Sequence, residues 1–144
     1  MTYPEKTSFW VDGIPATQGS KRHVGNGRMI ETSKGLPAWR KAVHDRAAEQ
    51  AHMIGQFHDG PLRLDVVFYL PHGKQKEHSP WKRQDLDKLI RAVGDSLKTG
   101  GLITDDSRFT KITADKAWAI DKPGASITIR KLGCCLLYTS DAAD

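Results

Sequence analysis

The chain is poor in the residues that staple or metallate small domains. Its 144 residues include two cysteines, adjacent at Cys134 and Cys135, and neighbours of that kind offer neither zinc-ligand spacing nor a disulfide framework. A chain of this length buries roughly two-thirds of its unfolded surface, so it can fold without such staples. Nor does it contain a run of about 18 apolar residues, which excludes a predicted membrane-spanning helix. The first residues, MTYPEKTSFWVDGIP, lack the apolar core of a secretory signal. Absent too are the GxxxxGK[ST] loop of nucleoside triphosphatases, the GxSxG nucleophile elbow and the HExxH zinc motif. Hydrophobic residues at 38% disfavour disorder. These exclusions predict one soluble, cytoplasmic domain with no membrane partner. The net charge of +5 favours a polyanion as partner without saying which.

Residues 8–15 read as a short strand ended by Gly-Ile-Pro, and ATQGSKRHVGNGRM after it as a loop with no apolar period. Lys21, Arg22 and Arg28, among glycines at 19, 25 and 27, suit either a solvated surface loop or a wrap around phosphates. Residues 36–53 read as a helix with Pro37 in its first turn and Trp39, Val43, Ala47 and Ala51 as its apolar stripe. His44, His52 and His58 have no metal-site partners in the sequence and read as surface or packing residues. LRLDVVFYLP then has the pattern of a well-buried strand. The polar stretch 72–84 carries Lys74, Lys76, Lys82 and Arg83 against the single acid Glu77. Leu86, Leu89, Ile90, Val93 and Leu97 mark the clearest amphipathic helix, ending at Gly100-Gly101. Residues 111–120 and 125–131 read as two strands joined by Asp121-Lys122-Pro123-Gly124. The expected fold is α+β: a mixed, largely antiparallel sheet of about four strands packed by two helices.

Acids gather around the second helix although the background is basic: Asp85, Asp87, Asp95, Asp105 and Asp106. One Asp before an apolar-periodic run is an ordinary N-cap, and acids in a first turn complement the helix dipole. Two such acids with a further pair beyond the helix point to more. Phosphodiester hydrolysis uses hard divalent cations held by carboxylates, substrate phosphate and water. Asp87, Arg91 and Asp95 recur every four residues on one flank. They form either a surface charge ladder worth tenths of a kcal/mol per pair, or a carboxylate for metal beside a guanidinium for phosphate. Asp85-Leu86-Asp87 lacks the preceding apolar strand of the aspartyl-phosphate phosphatases, which excludes that class.

The run RQDLDKLIRAVGDSLKTGGLITDDSRF resembles the signature of RusA-type Holliday-junction resolvases, small endonucleases common in bacteriophages and prophages. The early segment GIPATQGSKR resembles the corresponding loop of phage members. The resemblance implies metal-dependent hydrolysis of phosphodiesters at four-way DNA junctions by a homodimer, in recombination and repair. It makes Asp85, Asp87 and Asp106 the magnesium-binding catalytic acids, with manganese as a possible substitute. Asp105 becomes a neighbour that positions the turn, and Asp95 a supporting residue. Where the family pattern has a functional lysine this chain has Arg91, which keeps the charge but does not transfer protons near neutral pH. Lys88, Lys82, Arg83, Lys21 and Arg22 are the expected DNA contacts. The alternative is a non-catalytic protein that binds branched DNA, descended from such a nuclease and disabled at Arg91.

The last ten residues, 135–144, fit no part of this pattern. They match the translation of a transposase mosaic end followed by a sequencing adapter, so the expected domain is 1–134, with 135–144 a non-native tail. Without Asp141 and Asp144 the chain has 15 acids against 22 basic residues, a net charge of +7.

Overall fold

The computed structural model describes residues 2–19, 21–23, 25, 29–31 and 33–133, with only the backbone course given at 21–23 and 29–31. Six strands and two helices follow in the order β1 (Lys6–Asp12), β2 (Lys21–His23), β3 (Met29–Glu31), α1 (Leu36–Ile54), β4 (Leu62–Leu70), α2 (Leu86–Thr99), β5 (Phe109–Trp118) and β6 (Gly124–Lys131). A 3-10 turn, Asp106–Arg108, leads into β5. The main sheet has the order β1-β6-β4-β5. Its β1–β6 and β6–β4 pairs are antiparallel, and β4–β5 is parallel. Parallel neighbours need a crossover, and α2 with its flanking loops is that crossover. It therefore starts near the C-terminal end of β4 and delivers the chain back to the start of β5. The expected α+β fold, with a four-stranded mixed sheet and two helices, is the one observed.

The core lies between the helices and one face of the sheet. Along β4, Leu62, Leu64, Val66, Phe68 and Leu70 are buried and the intervening residues are half-buried. They meet Phe9 and Val11 of β1 and Ala125, Ile127 and Ile129 of β6. From α1 come Trp39, Val43 and Ala47, and from α2 Leu89, Val93 and Leu97. Each fully buried side chain of this size stabilises the fold by about 1.5–3 kcal/mol. The apolar run in β4 predicts a deeply buried strand, but its second face is only half covered, with Tyr69 resting against Trp10 at 5.7 Å between ring centroids.

Two local readings change. The stretch read as an irregular loop carries a hairpin, β2 with β3, paired Lys21↔Glu31 to His23↔Met29. Backbone ladders need no apolar alternation, so three residue pairs among glycines leave no periodic signal. The strand expected at 111–120 runs from Phe109 to Trp118 because β4, its partner, ends at Leu70 before Pro71. No helix among the described residues is long and apolar enough to cross a membrane. Cys134, Cys135 and the tail 135–144 lie outside the described residues.

Gly100 allows α2 to end against α1. A Cβ there would stand 2.7 Å from both the Ala47 Cβ and the His44 carbonyl oxygen. Gly100→Ala is expected to cost about 1–3 kcal/mol through overpacking, read as a lower urea midpoint. An unchanged midpoint would show that the helices do not approach this closely.

Candidate active site

The start of α2 is built on an unusual backbone. Gln84 has φ 65°, a left-handed conformation uncommon for residues with a side chain. It is held there from β5: the Lys116 ammonium donates to the Arg83 carbonyl at 3.1 Å and the Gln84 carbonyl at 3.0 Å. Asp85 follows in the N-cap position, yet its side chain caps no backbone N–H. Its carboxylate instead lies 3.4 Å from the Lys88 ammonium and is 64% exposed. Ordinary capping therefore does not account for Asp85. Asp87 sits exposed in the first turn, where the helix dipole favours an acid.

The flank that carries Asp87 continues through Arg91, Gly94 and Lys98, which recur at three- and four-residue steps. Gly94 is buried, and a Cβ there would meet the Asp106 Cβ at 3.2 Å and its Oδ2 at 3.5 Å. The missing side chain at Gly94 thus lets Asp106 lie against the helix. One turn further on, the Lys98 ammonium pairs with Asp105 at 2.8 Å. Asp105 also caps the 3-10 turn, accepting from the Ser107 N–H at 3.0 Å and from the Ser107 hydroxyl. Asp59 pins the same return loop, accepting from Thr104 at 2.7 Å and from Arg108 at 2.6 Å.

These contacts account for the shifted acidities. The Lys98 hydrogen bond, followed by those of Ser107, holds the Asp105 carboxyl well below the usual carboxylate range. Asp105 in turn raises the Lys98 ammonium, helped by the charges of Asp106 and Asp95. A carboxyl depressed by folding stabilises the turn above its unfolded value near 3.8, and that contribution is lost as pH falls through the lowered folded value. Lys98→Met should bring the Asp105 titration up toward 3.8 in a carboxyl 13C NMR experiment. A curve that does not move would assign the depression to Ser107 alone.

The loop after β1 closes over the same flank. The Gln18 N–H donates to the Lys88 carbonyl at 3.1 Å. Gly19, at φ 99°, lies so near Arg91 that a Cβ would stand 2.4 Å from a guanidinium nitrogen. The two stretches that carry the family resemblance, far apart in sequence, therefore meet at Arg91. The ladder does not form: among the described residues Arg91 pairs with neither Asp87 nor Asp95, and Asp95 binds Arg40 of α1, tying the helices together.

Among the described residues no three His, Cys, Asp or Glu side chains converge as a metal site. The helix explains this. Asp106 lies beside Gly94, seven residues and about 10 Å along the axis from Asp87. Of the expected DNA contacts, Lys82 is paired with Glu77 at 2.7 Å and Lys88 with Asp85, whereas Arg83 makes no ion pair among the described residues. The side chains of Lys21, Arg22 and Arg28 lie outside the described residues. Sequence reasoning missed Lys116 and Gly94, and read Gly19 only as one of several loop glycines. The signal for Gly94 was a glycine inside an otherwise strong helix, a position that costs stability unless something approaches closely.

No curated protein matches the chain. The model of the family described as Endodeoxyribonuclease RusA matches residues 12–130, which include both helices and Asp85, Asp87, Asp95, Asp105 and Asp106. The chain belongs to the RusA endodeoxyribonuclease family.

Proposed function

We propose that this protein is a magnesium-dependent, structure-selective endodeoxyribonuclease that resolves Holliday junctions in recombination and repair. The observation that carries this reading is the close approach of Asp106 to Gly94, which brings the acid beyond the helix onto the flank of Asp87 and Arg91. Asp85 and Asp87 would hold the cation at the helix entry, and Asp106, two turns along the same flank, would complete the set by reaching toward the ion. Their oxygens suit a hard ion, and magnesium needs only one or two carboxylates when substrate phosphate and water complete its shell, so a preformed cage of three is not required. When bound, the cation would supply an acidified water and stabilise the charge developing on the phosphoryl oxygens; manganese would serve in its place.

The chain's own residues do the rest. Arg91 offers a planar, permanently charged fork to a phosphate oxygen, and its exposure on α2 leaves it reachable by DNA. Arg83 and the basic stretch around it attract the backbone without reading sequence. Lys88 beside Asp85 tempers the repulsion between the acids and DNA. A four-way junction has approximate two-fold symmetry, so a homodimer with one site per nicked strand fits it.

Selectivity tests the reading. With equal concentrations of four-way junction, flap and plain duplex in magnesium, the junction should be nicked fastest. Faster cleavage of flap or duplex would replace junction resolution with another nuclease activity.

A further inference from the structure

Beside the start of α2 lies a cavity of about 520 Å³ whose lining includes Arg83 and Gln84, the two residues before Asp85. Its walls are mixed: apolar and aromatic side chains face polar ones that include Gln75, Glu77 and Ser79. Ile14 comes from the loop after β1, Leu70 from the end of β4, Trp81 from the polar stretch, and Trp118 from the end of β5. Two of these large side chains face solvent, Ile14 at 60% and Trp81 at 66% exposure. Trp118 is fixed as a wall, its indole N–H donating to the Glu77 carbonyl at 2.8 Å and its ring stacked on His72 at 4.9 Å. The Lys82 ammonium lies 5.4 Å from the Trp81 ring centre while paired with Glu77. Arg83 is left as the rim cation without an ion pair among the described residues.

We infer that this cavity takes one unstacked nucleobase of the DNA, at the nucleotide adjoining the phosphate to be cut. An aromatic pocket with a cationic rim is the chemistry that binds a base together with its phosphate. Two residues of chain span at most about 7 Å, so a base in the cavity lies next to the Asp85 backbone. Branch points supply such bases at the lowest unstacking cost, whereas a plain duplex must break a stacked pair. The pocket therefore contributes preference for branched over linear DNA. This inference rests on the nuclease reading above.

The test compares Trp81→Ala, Trp81→Phe and Ile14→Ser in the full chain, with binding measured in calcium on a four-way junction and on plain duplex. Both positions are exposed, and thermal melts check that each variant folds. Trp81→Ala should weaken junction binding roughly 5- to 100-fold, the usual loss of one base–aromatic stack. Duplex binding should change less than about twofold, and Trp81→Phe should keep most of the affinity, since a phenyl ring still stacks. Ile14→Ser should shift junction binding in the same direction. Equal losses on junction and duplex, or no loss on either, would overturn the pocket while leaving junction cleavage by the unmodified protein intact. If the unmodified protein neither nicks the junction nor prefers it over duplex, the nuclease reading fails and the pocket with it.

Discussion

Asp87→Asn is expected to lower the single-turnover rate of junction nicking in magnesium by on the order of a hundredfold or more, the scale of losing one group that stabilises charge in a transition state. Junction binding in calcium or EDTA should stay nearly unchanged. The fold should survive, because Asp87 is exposed and its interaction with the helix dipole is worth only about 0.3–1 kcal/mol. Removing a negative charge beside a polyanion tends to strengthen binding, so lost cleavage with kept or improved affinity separates a chemical role from a structural one. An Asp87→Asn protein that nicks at the original rate would remove this residue from the reaction.

The second large effect is expected at a residue that forms no ion pair among the described residues. Lys116→Met deletes two charge-assisted hydrogen bonds to the Arg83 and Gln84 carbonyls. The left-handed Gln84 costs on the order of 1–3 kcal/mol and persists only while its surroundings impose it. Released from Lys116, the turn should relax and carry Asp85 with it. Displacements of about 1 Å cost up to a hundredfold in rate, so nicking should fall about ten- to a hundredfold, mostly in kcat. The double variant Lys116→Met with Gln84→Gly should recover part of that loss, because glycine adopts positive φ without strain. A double variant no better than the single one would show that Lys116 acts by some route other than holding Gln84.

Much of the frame was legible because the side chains that build it repeat at regular steps. The Leu89, Val93 and Leu97 spacing defines the buried face of α2, and the predicted limits of both helices lie close to those observed. The place of Asp105 beside the turn came only through the family resemblance; the cap it makes on the 3-10 turn was not read from the local sequence. Other features were hidden because they depend on pairs distant in sequence. Lys116 and Gln84 meet only through the parallel pairing of β4 with β5 and the crossover between them. Gly19 and Arg91 meet only because the loop after β1 bonds to the first turns of α2. Asp95 belonged to a regular charge ladder in sequence, but its partner came from the other helix, Arg40. Local period says which face a residue occupies; it does not say what arrives opposite that face.

If the acids on and beyond α2 cut DNA at a junction, the products themselves should show it. The most direct measurement incubates the purified chain with a synthetic four-way junction in magnesium or manganese and maps the products on a denaturing gel. Paired, symmetrically placed nicks ending in 5′-phosphates, absent in EDTA, are the expected result. Tight junction binding without any nick in either metal would contradict it, and would leave a DNA-binding protein in which Arg91 has replaced a residue the chemistry requires.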